Sequence, residues 1–246
     1  MSCENTVISV WRRPAALALE KTGKAFEMQE RLGFRLTAFT AEAWRGLLHL
    51  GIGDPEQAEK YLQLALAKQD PKISSIVETN LGLGVLRLEQ GREKEAKAHF
   101  ETCLNAFKAA EFSTSPLLHA ETLLHLTRIY AKRGPLEEAR RMYEWAKRIG
   151  ETLKSDAGLA MAFQAEANLL LAGGDQKGAE EAYLTSLDLW EKAGWPYYRA
   201  KALFAYSEAL EQMNSEESRK RLEQAAAIFK KLGARRDLER TQFKLR

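Results

Sequence analysis

Small and large apolar positions recur along the chain at helical intervals, and the whole pattern repeats. In residues 53–66, GDPEQAEKYLQLAL, Gly53 is followed by Ala58 five on, Leu62 four later and Ala65 three after that. The same order returns as Gly91, Ala96, Phe100 and Cys103; as Gly134, Ala139, Tyr143 and Ala146; and as Gly174, Ala179, Tyr183 and Ser186. Seven residues before each glycine stands another small residue: Gly46, Gly84, Thr127 and Ala167. Weaker copies open with Ala18, Thr22 and Ala25 and close with Ser207, Asn214, Ser218, Leu222 and Ala225. From Ala18 through Ala58, Ala96, Ala139 and Ala179 to Ser218 the spacings are 40, 38, 43, 40 and 39 residues, which is an internal repeat.

Residues three, four and seven apart share one face of a helix. Two helices that each present a small residue can bring their backbones close, while the large residue fills the adjoining gap. The glycine between them permits the turn. Enlarging Ala96 or Ala139 is then expected to overpack the contact, at about 1–3 kcal/mol. Proline agrees with this scheme, because it is tolerated only in the first turn of a helix. Pro14, Pro55, Pro71, Pro116, Pro135 and Pro196 all fall where a helix would begin, and Asp54, Asp70 and Ser115 stand before three of them as N-caps.

The layout predicted is a stub over 1–13, a half repeat formed by a helix near 14–32, and five helix pairs near 35–69, 71–111, 115–152, 156–193 and 196–232. A capping helix near 234–245 follows. Each pair leaves an apolar face that only the next can cover, so the fold class expected over 14–246 is all-α, a solenoid of antiparallel helix pairs. No strand is predicted.

Helix pairs carrying this small-residue signature resemble tetratricopeptide repeats, here of a long-helix variety with a period near forty. The resemblance implies a right-handed superhelix and a non-catalytic scaffold for protein–protein interaction. The stretches LWEKAGWPYYRAKALFAYSEAL and FKKLGARRDLER are similar to repeats at the C-terminal ends of large bacterial regulators, in which an ATPase module precedes them. The half repeat at the start fits either a piece of such a protein or a degenerate N-terminal cap.

By the same resemblance, partners lie along the first helix of each pair, at positions three before, one after and four after the small residue. The residues expected to line this concave groove are Leu47, Leu50, Leu81, Val85, Leu88, Leu124, Arg128, Gln164 and Asn168, with Ala43, Ala131, Leu171, Phe204, Glu208 and Glu211 at the remaining equivalent positions. The groove would start apolar and turn polar toward the C-terminus, suiting an amphipathic helix or a peptide with bulky side chains. The carboxylate-gripping mode of co-chaperone repeats is not expected, because the equivalent positions are mostly apolar. Just before the small residue stand Leu83, Leu126 and Tyr206, but also Arg45 and Glu166. Either the register slips by one there or polar groups line the groove.

Candidate chemistry is thin. GIGDPE and GLGVLR lack the third glycine of a dinucleotide loop, and neither a phosphate-loop lysine motif nor a nucleophile elbow occurs. Glu121 and His125 share a helical face, which reads as a structural pair; the four histidines form no metal motif. Acid pairs such as Glu137–Glu138 and Glu180–Glu181 open second helices, where their charge suits the helix dipole. No catalytic residue, cofactor or metal is expected. Trp190, Trp195, Tyr197 and Tyr198 form the densest aromatic group, read as packing between repeats, with an exposed tryptophan there marking an interface.

Charge and composition adjust the picture slightly. Lys and Arg total 37 against 34 Asp and Glu, but residues 219–246 hold ten basic and three acidic residues, so the rest of the chain is mildly acidic. That tail reads mainly as a solvated face, with nucleic acid or an acidic partner as a lesser alternative. Two cysteines, a poor signal sequence and no long apolar run point to the cytoplasm and away from a membrane. The functional expectation is a scaffold holding a protein or peptide segment in its groove. The alternative is a sensor or self-associating portion of a larger signalling or transcription regulator.

Overall fold

The computed structural model describes residues 35–67, 76–109, 116–211 and 214–246. The stub, the helix expected over 14–32, and Pro71, Asp70 and Ser115 lie outside them. Among the described residues there are eleven helices and no strand. In chain order they are α1 (Arg35–Ile52), α2 (Pro55–Ala67), α3 (Ile76–Glu89), α4 (Glu93–Ala109), α5 (Pro116–Arg133), α6 (Leu136–Leu153), α7 (Asp156–Ala172), α8 (Gln176–Ala193), α9 (Pro196–Leu210), α10 (Ser215–Leu232) and α11 (Arg235–Leu245). Two compact units, Met1–Leu118 and His119–Arg246, divide the chain.

In the first unit α1 packs on α2 and α3, α2 on α3, and α3 on α4. Ala58, Leu62 and Ala65 of α2, and Ala96, Phe100 and Cys103 of α4, have no solvent exposure. Gly46 and Gly84 face the large members of this set so closely that a methyl group at either would lie 2.5 Å from Leu62 or Phe100. The small positions are therefore set by the large side chain opposite, as the repeat predicts.

The second unit continues the scheme: α6 packs on α7, α7 on α8, α8 on α9, α9 on α10 and α10 on α11. Ala139, Tyr143, Ala165 and Leu169 form one cluster, covered by Leu124, Tyr130 and Ala131 of α5. The later small positions add a bond to the packing. The Ser186 hydroxyl donates to the Ala160 carbonyl at 2.8 Å, and Cys103 in the first unit donates to Val77 in the same register at 3.4 Å. A small residue with a hydroxyl or thiol thus satisfies a first-helix carbonyl without pushing the helices apart.

The turns carry one difference from expectation. At Gly53, Gly91 and Gly174 the glycine is left-handed and the next residue donates to the carbonyl five back, as Asp175 does to Leu170 at 2.9 Å. Gly134 is not left-handed: Pro135 follows it, has no N–H, and so cannot make that bond. Pro135 accordingly sits one residue before α6, as its N-cap, whereas Pro55, Pro116 and Pro196 open their helices. Asp54 caps α2 as expected, accepting from the Gln57 N–H at 3.0 Å. Ser155, Asp175 and Asn214 cap later helices in the same way.

Lys154 occupies this left-handed position between α6 and α7, at φ 47°. A side chain costs about 1 kcal/mol there. Lys154→Gly is therefore expected to raise the unfolding free energy by about 0.5–1 kcal/mol, and Gly174→Ala to lower it by about 1 kcal/mol. A methyl group at Gly174 would meet nothing within 4 Å, so its effect is purely conformational. Urea titrations of the two variants check the opposite signs.

Candidate functional site

In the first unit, the expected apolar groove residues are largely core. Leu47, Leu50 and Leu81 are buried, and so is Ala43. For Leu47 the cause is Gly82, which has no side chain: Leu62 and Leu47 close over it, placing their methyl groups 2.6 and 3.2 Å from where its Cβ would stand. Leu47 therefore fills the seam between α1 and α3. Val85 and Leu88 on α3 keep partial exposure. Nearby, Arg87 is buried and donates to Glu59 at 2.6 Å and Gln90 at 2.8 Å, joining α3 to α2.

In the second unit the expected inner positions come together. Arg128 and Ala131 of α5, Asn168 and Leu171 of α7, and Glu208 of α9 line a single cavity of about 390 Å³. These are the positions one and four after the small residues Thr127, Ala167 and Ser207, so helical periodicity alone aims them at one space. Lys132, Ala172, Ala205, Ala209 and Tyr183 complete the lining. Leu124 and Gln164 stand apart from it. Leu124 packs on the Tyr143–Leu169 cluster, and Gln164 is buried.

Hydrogen bonds fix the floor of this cavity. Asn168 donates to the Gln164 carbonyl at 2.9 Å, which leaves its amide oxygen facing the Tyr183 hydroxyl at 3.4 Å. The Tyr183 ring stacks on Tyr206 at 5.0 Å, and burial raises its phenol to about 12, so it stays a neutral donor at any physiological pH. At one wall Glu208 meets Arg128 at 3.2 Å, and Arg240 and Lys244 of α11 at 3.5 and 3.6 Å. Arg240 also lies over the Phe204 ring, 4.5 Å from its centre.

At Glu166 the register question resolves against both alternatives. Glu166 accepts from the Tyr143 hydroxyl at 2.9 Å, and Tyr206 in the equivalent position donates to Glu180 at 2.9 Å. The residue before the small one thus faces the preceding second helix, so Glu166 neither slips register nor lines the groove. Arg45 instead lies over Tyr61 of α2, the helix that follows it, at 5.8 Å.

Residues 75–152 match the family model described as Tetratricopeptide repeat. Over that stretch the chain is similar to tetratricopeptide repeats. Tetratricopeptide repeats mediate protein–protein interaction and are typically non-catalytic. No curated protein matches the chain. Among the described residues, no group of three or more His, Cys, Asp or Glu could hold a metal ion, and no helix is long and apolar enough to cross a membrane.

Two further expectations meet the repeat structure. The tryptophans of the aromatic group are core: Trp190 is fully buried, stacked on Trp195 at 5.9 Å and Tyr198 at 5.0 Å, and Trp195 is buried beside it. The exposed tryptophan that would have marked an interface is absent among the described residues. Glu121 and His125 are structural, 4.0 Å apart, with the Tyr198 hydroxyl donating to Glu121 at 3.1 Å. Burial pushes the His125 imidazole down to about 3, helped by the nearby Lys201 and Arg128 cations. Burial also raises the Glu121 carboxyl, against the pull of Lys201 and the Tyr198 bond.

These buried groups give the second unit a pH dependence. Burial pushes His119, in edge contact with Trp145, down to about 4. Between about pH 6.5 and 4 the unfolded chain binds a proton that the folded one refuses, so stability falls as pH drops through that window. The expected loss is on the order of 1–3 kcal/mol by pH 4. Glu121 works the opposite way above the ordinary carboxylate range, where its raised folded value makes stability fall as pH rises. Unfolding midpoints at pH 7, 5.5 and 4.5 should decline, and His119→Gln should flatten the decline. An unchanged slope in that variant contradicts the assignment.

Proposed function

We propose that this chain is a cytoplasmic scaffold that takes a peptide or helix segment of another protein into the cavity between α5, α7 and α9. One observation carries the reading: five positions assigned to the inner face by the repeat register, Arg128, Ala131, Asn168, Leu171 and Glu208, line one cavity. Alanines and Leu171 supply apolar contact, while Arg128, Asn168 and Tyr183 supply directional polar groups. That mixture suits a segment with alternating apolar and polar side chains. The recognition site thereby lies in the second unit, since the apolar positions of α1 are already committed to packing.

Nucleic acid is the poorer fit to the basic tail. Arg219 pairs with Glu223 at 3.2 Å, Lys220 and Arg221 with Glu217, and Arg240 and Lys244 with Glu208, so these cations face carboxylates.

A photo-crosslinking residue placed at Leu171 is expected to trap a partner in native lysate, and the same residue at the outward-facing Glu181 is not. Ala172→Trp, which fills the cavity from an exposed position, should reduce trapping at least tenfold with helical circular dichroism unchanged. Trapping at Glu181 alone, or trapping indifferent to Ala172→Trp, refutes the groove.

A further inference from the structure

We infer that α5 and α9 form a clasp across the intervening α7, which opens from its solvent-facing end and uncovers the first half of the inner face of α7. In a stack of repeats each unit contacts only the next, so α5 and α9 belong to repeats that need not touch. Two side-chain pairs join them nonetheless. Tyr198 donates to Glu121 at 3.1 Å and Arg128 meets Glu208 at 3.2 Å, across 77 and 80 residues of chain. Glu121, His125 and Arg128 follow one another at helical intervals on one face of α5, as do Tyr198, Lys201, Ala205 and Glu208 on α9. The two pairs are therefore successive rungs between the same two helices, one near their starts and one toward their ends.

Burial along α7 changes in step with these rungs. Ala157, Met161, Gln164, Asn168 and Ala172 recur every three or four residues and so share one face. Ala157, Met161 and Gln164 are buried, whereas Asn168 is half-buried and Ala172 exposed. The helix on either side follows the same course, from a Glu121 side chain 16% exposed to an Arg128 side chain 49% exposed on α5. The inner groove is thus shut where the three helices begin and open where they end, and the cavity is its open part.

The outer rung is the weaker of the two. An ion pair as open to solvent as Arg128–Glu208 is weak and screened by salt. When Arg128 withdraws, Glu208 keeps Arg240 and Lys244 of α11 at 3.5 and 3.6 Å, so no carboxylate is left bare. The inner rung resists more, because the largely covered Glu121 loses its phenol donor if the helices part there. Opening therefore starts at Arg128 and proceeds inward, lengthening the groove toward Gln164 and Met161. That the added length admits a bound segment rests on the groove reading; the opening itself does not.

Oxidation of the full chain by hydrogen peroxide, followed by mass spectrometry, reads the opening at the thioether of Met161. Met142 of α6, buried and outside the clasp, is the internal reference. Arg128→Gln removes the outer rung and should speed Met161 oxidation about two- to fivefold, in proportion to the larger population of the open form. Tyr198→Phe removes the inner rung while keeping a ring to stack on Trp190, and should speed Met161 at least as much. Met142 should oxidise at the wild-type rate in both variants. A Met161 rate that either variant leaves unchanged, or that rises only in step with Met142, would overturn the clasp and leave the groove reading standing. A selective Met161 response together with no trapping at Leu171 would overturn the groove reading and leave the clasp standing.

Discussion

Trp190→Ala is expected to lower the unfolding free energy by about 3–5 kcal/mol, the range for truncating a large buried aromatic. Trp190 has no exposed surface and sits at the C-terminal end of α8, where it stacks on Trp195 and on Tyr198 of α9. The indole therefore joins consecutive repeats, and its loss leaves a void that neighbours on two helices cannot close together. Its N–H finds no acceptor among the described residues, so what is lost is packing rather than a hydrogen bond. Trp190→Phe, which keeps a stacked ring and removes that donor, should cost less than half as much. Leu184→Ala on the same helix, at a side chain 39% exposed, should stay within about 0.5 kcal/mol. Denaturant titration of the three variants checks the order. A Trp190→Ala protein as stable as Leu184→Ala contradicts the inter-repeat role.

Ala139→Phe is the second large effect, expected to destabilise by about 1–3 kcal/mol or more through overpacking. Ala139 is fully buried among Tyr143, Ala165 and Leu169, with Leu124 and Tyr130 closing the cluster from α5. A ring there has to part α6 from its neighbours on both sides, because interiors at crystal-like density have no spare volume. Glu137→Phe, two residues earlier at an exposed site of the same helix, is the matched control and should be close to neutral. Both variants are read by thermal unfolding. If the control and Ala139→Phe unfold together, the small positions are not what lets the helices meet.

Helical periodicity made the fold legible because it constrains every repeat in the same way. Ala58, Ala96, Ala139 and Ala179 are all buried where the spacing put them, and the helices of the second unit begin and end within a residue or two of expectation. The turns were less legible. Gly134 looks equivalent to Gly53 in sequence, and only the missing N–H of Pro135 tells it apart. Side-chain destinations were harder still, since a position on the inner face says nothing of what closes over it. Leu47 and Leu81 occupy inner positions but are buried, and the signal for Leu47 was Gly82, whose bare backbone invites Leu47 to pack over it. Tyr183 and Lys132 reach the cavity without being expected there. Lys132 lies one residue past the inner position at Ala131, and Tyr183 comes from a second helix with its hydroxyl reaching Asn168. The carboxylate meeting at Glu208 brings together residues 80 and 32 positions apart, which no local pattern encodes.

Hydrogen–deuterium exchange of the full chain with and without the partner trapped at Leu171 tests the central claim most directly. Slowed exchange is predicted around Arg128 in α5, around Asn168 to Ala172 in α7 and around Glu208 in α9, with α6, α8 and α10 little changed. Protection confined to those outward second helices, with α5, α7 and α9 unaffected, would contradict it.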